Sequence, residues 1–187
     1  MVTIGALWLP ILLSAIAVWV ASAIIWMVMP HHKSEYAKFP DEDAARQALA
    51  PQNLTPGLYD IPHIASPSDL KDAEVVRKFE EGPVGFFTAV PAGVPTMGSK
   101  IMLSFVFHLA ISVVVAYLVG RTLDPGADYL AVFRISGTVA WLAYGTATVP
   151  DAIWFGRPWS GIMKGLLDAL VFGLLTAGFF GWLWPAA

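Results

Sequence analysis

The chain has 187 residues, 57% of them hydrophobic and only 13% charged, with a net charge of −3 and no cysteine. An ordinary soluble domain is about 25% charged, so this balance, with a mean hydropathy of +0.64, points to a protein that resides in lipid. The missing cysteines exclude disulfides, iron–sulfur clusters, Cys-ligated zinc and thiol nucleophiles, and the slightly acidic balance offers no basic field for nucleic acid.

The first element is an apolar run over residues 3–29, free of charged side chains and carrying Trp8, Trp19 and Trp26. A hydrocarbon layer of about 30 Å needs roughly 20 apolar residues in a helix, and this run is long enough. Ala21-Ser22-Ala23 imitates a signal-peptide cleavage site. However, nothing basic follows Met1 and the apolar stretch outruns a signal-peptide core, so an uncleaved span is expected. Pro10 kinks this helix or lies near its first turns.

Residues 31–100 differ in kind. They hold seven of the eleven basic residues and ten of the fourteen acidic ones, so the whole net charge lies here. The expectation is a small α+β or irregular insertion. Asp41 to Ala50, between Pro40 and Pro51, reads as a short helix with an acidic first turn. Ser66-Pro67-Ser68-Asp69 reads as a cap opening a helix that Gly82 closes, with Leu70, Val75, Val76 and Phe79 on its apolar side. Gly57–Ile61 is expected to pair as a strand with residues 85–90, and the Pro- and Gly-rich residues 91–98 lead back to the membrane.

The next span covers residues 101–119, where Ser104, His108, Ser112, Ala116 and Gly120 recur at every fourth position. Asp124-Pro125-Gly126 is a tight-turn signal, which makes the following helix an antiparallel neighbour. Two more spans, 129–149 and 162–184, form a hairpin about the loop Asp151 to Trp159. In the last, Gly165, Ala169, Gly173, Ala177 and Gly181 form a stripe of small residues, the kind of face along which membrane helices approach closely. The expected fold is therefore an all-α membrane protein of four transmembrane helices, with the insertion between helices 1 and 2. Lys33, Lys38, Lys100, Arg157 and Lys164 flank one side of the spans, and Arg121 and Arg134 the other. The positive-inside rule then places residues 31–100 in the cytoplasm and both termini outside.

Three ionisable groups fall inside expected spans: His108, Arg134 and Asp168. Such groups are costly in lipid and are candidates for function. Arg134 lies about a turn from a helix end and can snorkel to the headgroups. His108 and Asp168 reach similar depth, as does Tyr144, so the three define a candidate polar layer for a ligand or protons. Against that stand a bridge from Asp168 to Lys164 one turn earlier, and hydrogen bonds from His108 to Ser104, Ser112 or a carbonyl.

A b-type haem usually takes two axial histidines on facing helices, and only His108 lies in a span. His31, His32 and His63, with a carboxylate, are a weak metal set, because adjacent histidines lack the i, i+4 spacing that places ligands on one helical face. No metal or cofactor is therefore expected. No nucleophile elbow, P-loop or H-E-x-x-H motif occurs, and no catalytic residue is assigned. Trp154, Arg157 and Trp159 read as a lipid-interface belt, with the guanidinium on phosphates.

Trp141-Leu142-Ala143-Tyr144, Phe155-Gly156-Arg157-Pro158-Trp159 and the stretch from Gly178 to Trp184 together resemble small uncharacterised bacterial inner-membrane proteins, over the last third of the chain. The resemblance implies a multi-pass inner-membrane protein and carries no activity to transfer; the cytoplasmic insertion departs from that compact pattern. Stripes without a catalytic set lead to a non-enzymatic scaffold or accessory subunit of a membrane complex, partnered by lipid and by another membrane protein or a second copy. The rivals are a small dimeric transporter or proton-coupled carrier using His108 and Asp168, and a redox component binding quinone or haem near His108.

Overall fold

A computed structural model describes all 187 residues. The chain is mostly helical, and three of its helices are long and apolar enough to cross a membrane: Ile4–Met27, Met97–Thr122 and Trp159–Trp182. It divides into two compact units, one built from residues 1–36, 96–153 and 157–187, the other from residues 37–95 with 154–156.

The first unit begins with a 3₁₀ turn, Ile4–Leu7, continuing into α1, Trp8–Met27. Leu7 in the turn and Ile11, Ala15 and Val18 on α1 are buried, whereas Trp8, Leu12, Ile16, Val20 and Ile24 are exposed. Both faces are apolar, as expected of a helix that packs on protein on one side and meets lipid on the other. After α1 the chain makes a 3₁₀ turn, His31–Glu35, which belongs to this unit and not to the insertion that follows.

The insertion contains α2 (Glu42–Leu49), β1 (Gly57–Ile61), α3 (Ala73–Glu81) and β2 (Gly85–Ala89). The strands pair antiparallel with Gly57 opposite Ala89 and Ile61 opposite Gly85, the pairing the sequence suggested. The helix expected from Ser66 to Gly82 is interrupted. Ser66 does form a capping box, but it opens only a 3₁₀ turn, Pro67–Lys71. Asp72 then leaves helical geometry at ψ 120° and uses its carboxylate to cap α3 through the Glu74 N–H. A second cap has displaced the middle of the helix.

The remaining helices of the first unit are α4 (Met97–Thr122), α5 (Tyr129–Gly145), α6 (Val149–Trp154) and α7 (Trp159–Trp182). Expected spans and observed helices differ at their ends. α4 starts before Lys100, and α7 starts at Trp159, directly after Pro158. α5 stops at Gly145, short of residue 149, and a 3₁₀ turn, Thr146–Thr148, follows it. Pro150 is the second residue of the separate helix α6, a first-turn position where its missing N–H costs nothing.

α1 packs on α4 and α7, and α5 packs on α4 and α7, which closes a ring of four helices. The α1–α4 contact is antiparallel. The Val2 N–H donates to the Gly120 carbonyl at 2.8 Å, the Ser14 and Ser112 hydroxyls meet at 3.1 Å, and Ser22 lies beside His108. The stripe of every fourth residue on α4 therefore faces α1. At Gly120 a Cβ would stand 2.6 Å from the Val2 carbonyl oxygen, so no larger residue fits.

The stripe on α7 faces α5. A Cβ on Gly173 would lie 3.0 Å from the Gly137 carbonyl oxygen, and one on Gly181 would lie 2.7 Å from the Tyr129 ring. Ala169 fills the space above Gly145, and Ala177 the space above Gly137. Gly165 is the exception, with nothing within 4 Å of a Cβ placed there. The close-contact face thus runs from Ala169 to Gly181, and α5 follows α7 along that whole length.

Candidate functional site

A carboxylate within a membrane helix must find partners there, because water is not available to solvate it. Asp168, two to three turns into α7, is buried. Its Oδ2 lies 2.6 Å from Nε2 of His32 and its Oδ1 lies 3.3 Å from Nε2 of His31. Both histidines come from the 3₁₀ turn behind α1, which folds onto α7.

The turn is held in three ways. Lys164, one helical turn before Asp168, donates from Nζ to the His31 carbonyl at 2.5 Å and to the Ser34 hydroxyl at 2.7 Å. Trp26, at the end of α1, stacks flat on the His32 ring at 3.9 Å. His32 Nδ1 is hydrogen-bonded to Glu35 Oε1, and Glu35 in turn lies on Gly161, where a Cβ would meet its carboxylate at 3.2 Å. Gly161 is small where the turn needs room.

His32 therefore stands between two carboxylates, one on each ring nitrogen. Carboxylates only accept when ionised, so with both ionised the ring must donate twice and carry a positive charge. The alternative occupant of the same geometry is a cation. An imidazole nitrogen from each of His31 and His32 and an Asp168 oxygen lie within 4.8 Å of one another, close enough to share one ion. His31 keeps a buried Nδ1 without a hydrogen-bond partner.

The other sequence candidates are distributed differently. His108 is buried on α4, with Nε2 at 3.4 Å from both Ser22 and Ser104. The Ser22 hydroxyl gives its proton to the Trp19 carbonyl, so toward His108 it can only accept. Tyr144 lies beside His108 with ring centroids 5.5 Å apart, and Phe172 packs on both. His108 Nδ1 and the Tyr144 hydroxyl are buried without partners. No hydrogen bond joins either residue to Asp168, whose oxygens are taken by His31 and His32. Phe172, one helical turn beyond Asp168, is the α7 residue that meets His108 and Tyr144. Lys164 makes no bridge to Asp168, being engaged with the turn.

Arg134 lies on the exposed side of α5. Trp154 and Trp159 are exposed, and Arg157 pairs with Asp151 at 3.2 Å. His63 belongs to the other compact unit, where its Nδ1 holds Asp60 Oδ1 at 2.6 Å. That bond keeps the Asp60 carboxyl below its ordinary range.

On sequence alone, spacing sets His31 and His32 aside, and Asp168 is expected in a polar layer with His108 and Tyr144, with a bridge to Lys164 as the alternative. Two signals pointed elsewhere. A lone acid inside a span needs a donor from another element, and two imidazoles follow the end of the first span directly. Comparison with protein-family models, with curated proteins and with solved structures gave no match.

Proposed function

We propose that the protein is a four-span accessory subunit of an inner-membrane complex, with residues 37–95 in the cytoplasm as the segment that meets a partner protein. The fourth span is α5. Its 17 residues cover only about 25 Å at 1.5 Å rise each, and the turn and α6 that follow extend it. In support, α5 begins beside Gly181 and ends beside Leu166, matching most of the length of α7.

One observation carries the partner reading. Residues 37–95 contain no buried side chain, yet their ribbon and its flanks expose Leu58, Phe86, Val90 and Val94, the last at 92%. A two-stranded ribbon is marginal alone in water, and contiguous exposed apolar groups mark contact surfaces. Most of each small-residue stripe of the bundle is used within the chain, which favours this segment as the surface for a partner.

The test is crosslinking in intact membranes followed by purification of the full chain, beside a Leu58→Asp, Val90→Asp variant. A defined crosslinked protein that the variant loses supports the reading. A chain that purifies alone, or an adduct that the variant retains, refutes it. A reporter inserted near Asn53 is expected to report cytoplasm and one after Ala187 the opposite side; the reverse at both sites overturns the orientation.

A further inference from the structure

We infer that His31, His32 and Asp168 bind a divalent transition metal of the zinc type, at the point where the turn His31–Glu35 meets α7. The donor set is two imidazoles and one carboxylate, a combination used for Zn²⁺ and Fe²⁺ sites with open positions. The distances fit. Ligand atoms about 2.0–2.1 Å from a tetrahedral ion stand roughly 3.3 Å apart, and His31 Nε2 already lies 3.3 Å from Asp168 Oδ1. His32 Nε2, at 2.6 Å from Oδ2, has only to open by a fraction of an ångström.

The surroundings match as well. A metal-bound histidine characteristically donates its other N–H to a carboxylate, which fixes tautomer and ring angle, and Glu35 accepts from His32 Nδ1 in that position. Trp26 stacked on the ring restricts its rotation further. Two carboxylates, Asp168 and Glu35, flank the His32 ring, and Lys164 points its donors at the His31 carbonyl and Ser34 instead of at Asp168. A cleft of about 140 Å³, lined by Glu35, Tyr36, Arg157, Pro158, Gly161 and Ile162, leads to the Glu35 side of the cluster. Three protein ligands leave a position open for water or another donor.

The test is a Co²⁺ titration of the full-length protein in detergent or nanodiscs, read by the visible d–d bands and reversed by Zn²⁺. One Co²⁺ per chain is expected. His31→Ala, His32→Ala and Asp168→Asn should each weaken binding by more than about 100-fold, and Glu35→Gln by about 10–100-fold, as outer-shell partners do. His63→Ala and His108→Ala should bind as the wild type does. Gel filtration and circular dichroism establish which variants are folded. If Asp168→Asn does not fold, His31→Ala decides, since that ring is partly exposed. Absence of a d–d signal from folded wild-type protein overturns the assignment, as does wild-type affinity in folded His31→Ala or loss of binding in His63→Ala.

Discussion

His32 Nε2 lies 2.6 Å from Asp168 Oδ2, joining two residues 136 positions apart in the chain. His32 also holds Glu35 on Nδ1 and Asp168 also meets His31 on Oδ1, but His32 Nε2 and Asp168 Oδ2 have only each other. Removing one partner of a buried charged pair costs about 3–5 kcal/mol, because the survivor is left unsatisfied. His32→Ala and Asp168→Asn should each destabilise on that scale, and the double variant should fall short of the sum by about 0.5–3 kcal/mol. Reversible unfolding of the three variants measures this. Strict additivity would mean that the two side chains are not coupled.

The helix-packing face on α7 makes a comparison within one stripe possible. A side chain at Gly173 meets the Gly137 backbone and Trp141, whereas one at Gly165 meets nothing within 4 Å. Gly173→Leu should cost at least about 1–3 kcal/mol by overpacking, and Gly165→Leu no more than about 0.5 kcal/mol. Thermal unfolding in detergent separates them, and equal losses would contradict the α5–α7 contact.

Because the chain has no cysteine, introduced pairs can be crosslinked without background. Ser14 and Ser112 have hydroxyls 3.1 Å apart across α1 and α4, so sulfurs placed there need to approach by only about 1 Å to form a disulfide bond. A Ser14→Cys, Ser112→Cys variant should oxidise to an intramolecular disulfide in membranes, seen as a gel-mobility shift. Failure to crosslink under conditions that oxidise exposed thiols would mean that these helices do not pack in this register.

In the insertion, Arg77 contacts Glu74 and Glu81 along α3. The Arg77 guanidinium, and secondarily Lys78, hold the Glu74 carboxyl below its ordinary value of 4.5. A depressed folded-state value means that the stabilisation is present above 4.5 and is lost as pH falls through the lower, folded-state midpoint. An NMR titration of the Glu74 carboxyl should give a midpoint below 4.5, and Arg77→Ala should move it back up. A midpoint that Arg77→Ala leaves unchanged would rule out this pairing.

Much of this architecture is legible because it depends on local pattern. Apolar length marks three helices able to cross a membrane, and every-fourth small residues mark the faces of α4 and α7 that pack closely. Alternation and aromatic content mark the pair Gly57–Ile61 and Gly85–Ala89. Asp72 hid the interruption before α3, because a cap inside an amphipathic pattern looks like one more polar surface position. The cluster around Asp168 was hidden for a different reason. Its partners come from a turn whose position depends on how α1 packs on α7, and no sequence period encodes that. The adjacency of His31 and His32 argued against shared ligation on a helix, but a 3₁₀ turn facing a third residue on another helix brings both Nε2 atoms together. Lys164, the apparent partner of Asp168 by spacing, has its donors drawn to the backbone of that same turn.

The docking of the turn His31–Glu35 onto α7 underlies the whole cluster, and it can be tested while sparing His31, His32 and Asp168. A Cβ at Gly161 would lie 3.5 Å from Glu35 Cγ, so a Glu35→Cys, Gly161→Cys variant should form an intramolecular disulfide in membranes under mild oxidation. No disulfide in that variant, while the Ser14→Cys, Ser112→Cys pair crosslinks under the same conditions, would contradict the docking and with it the joining of His32 to Asp168.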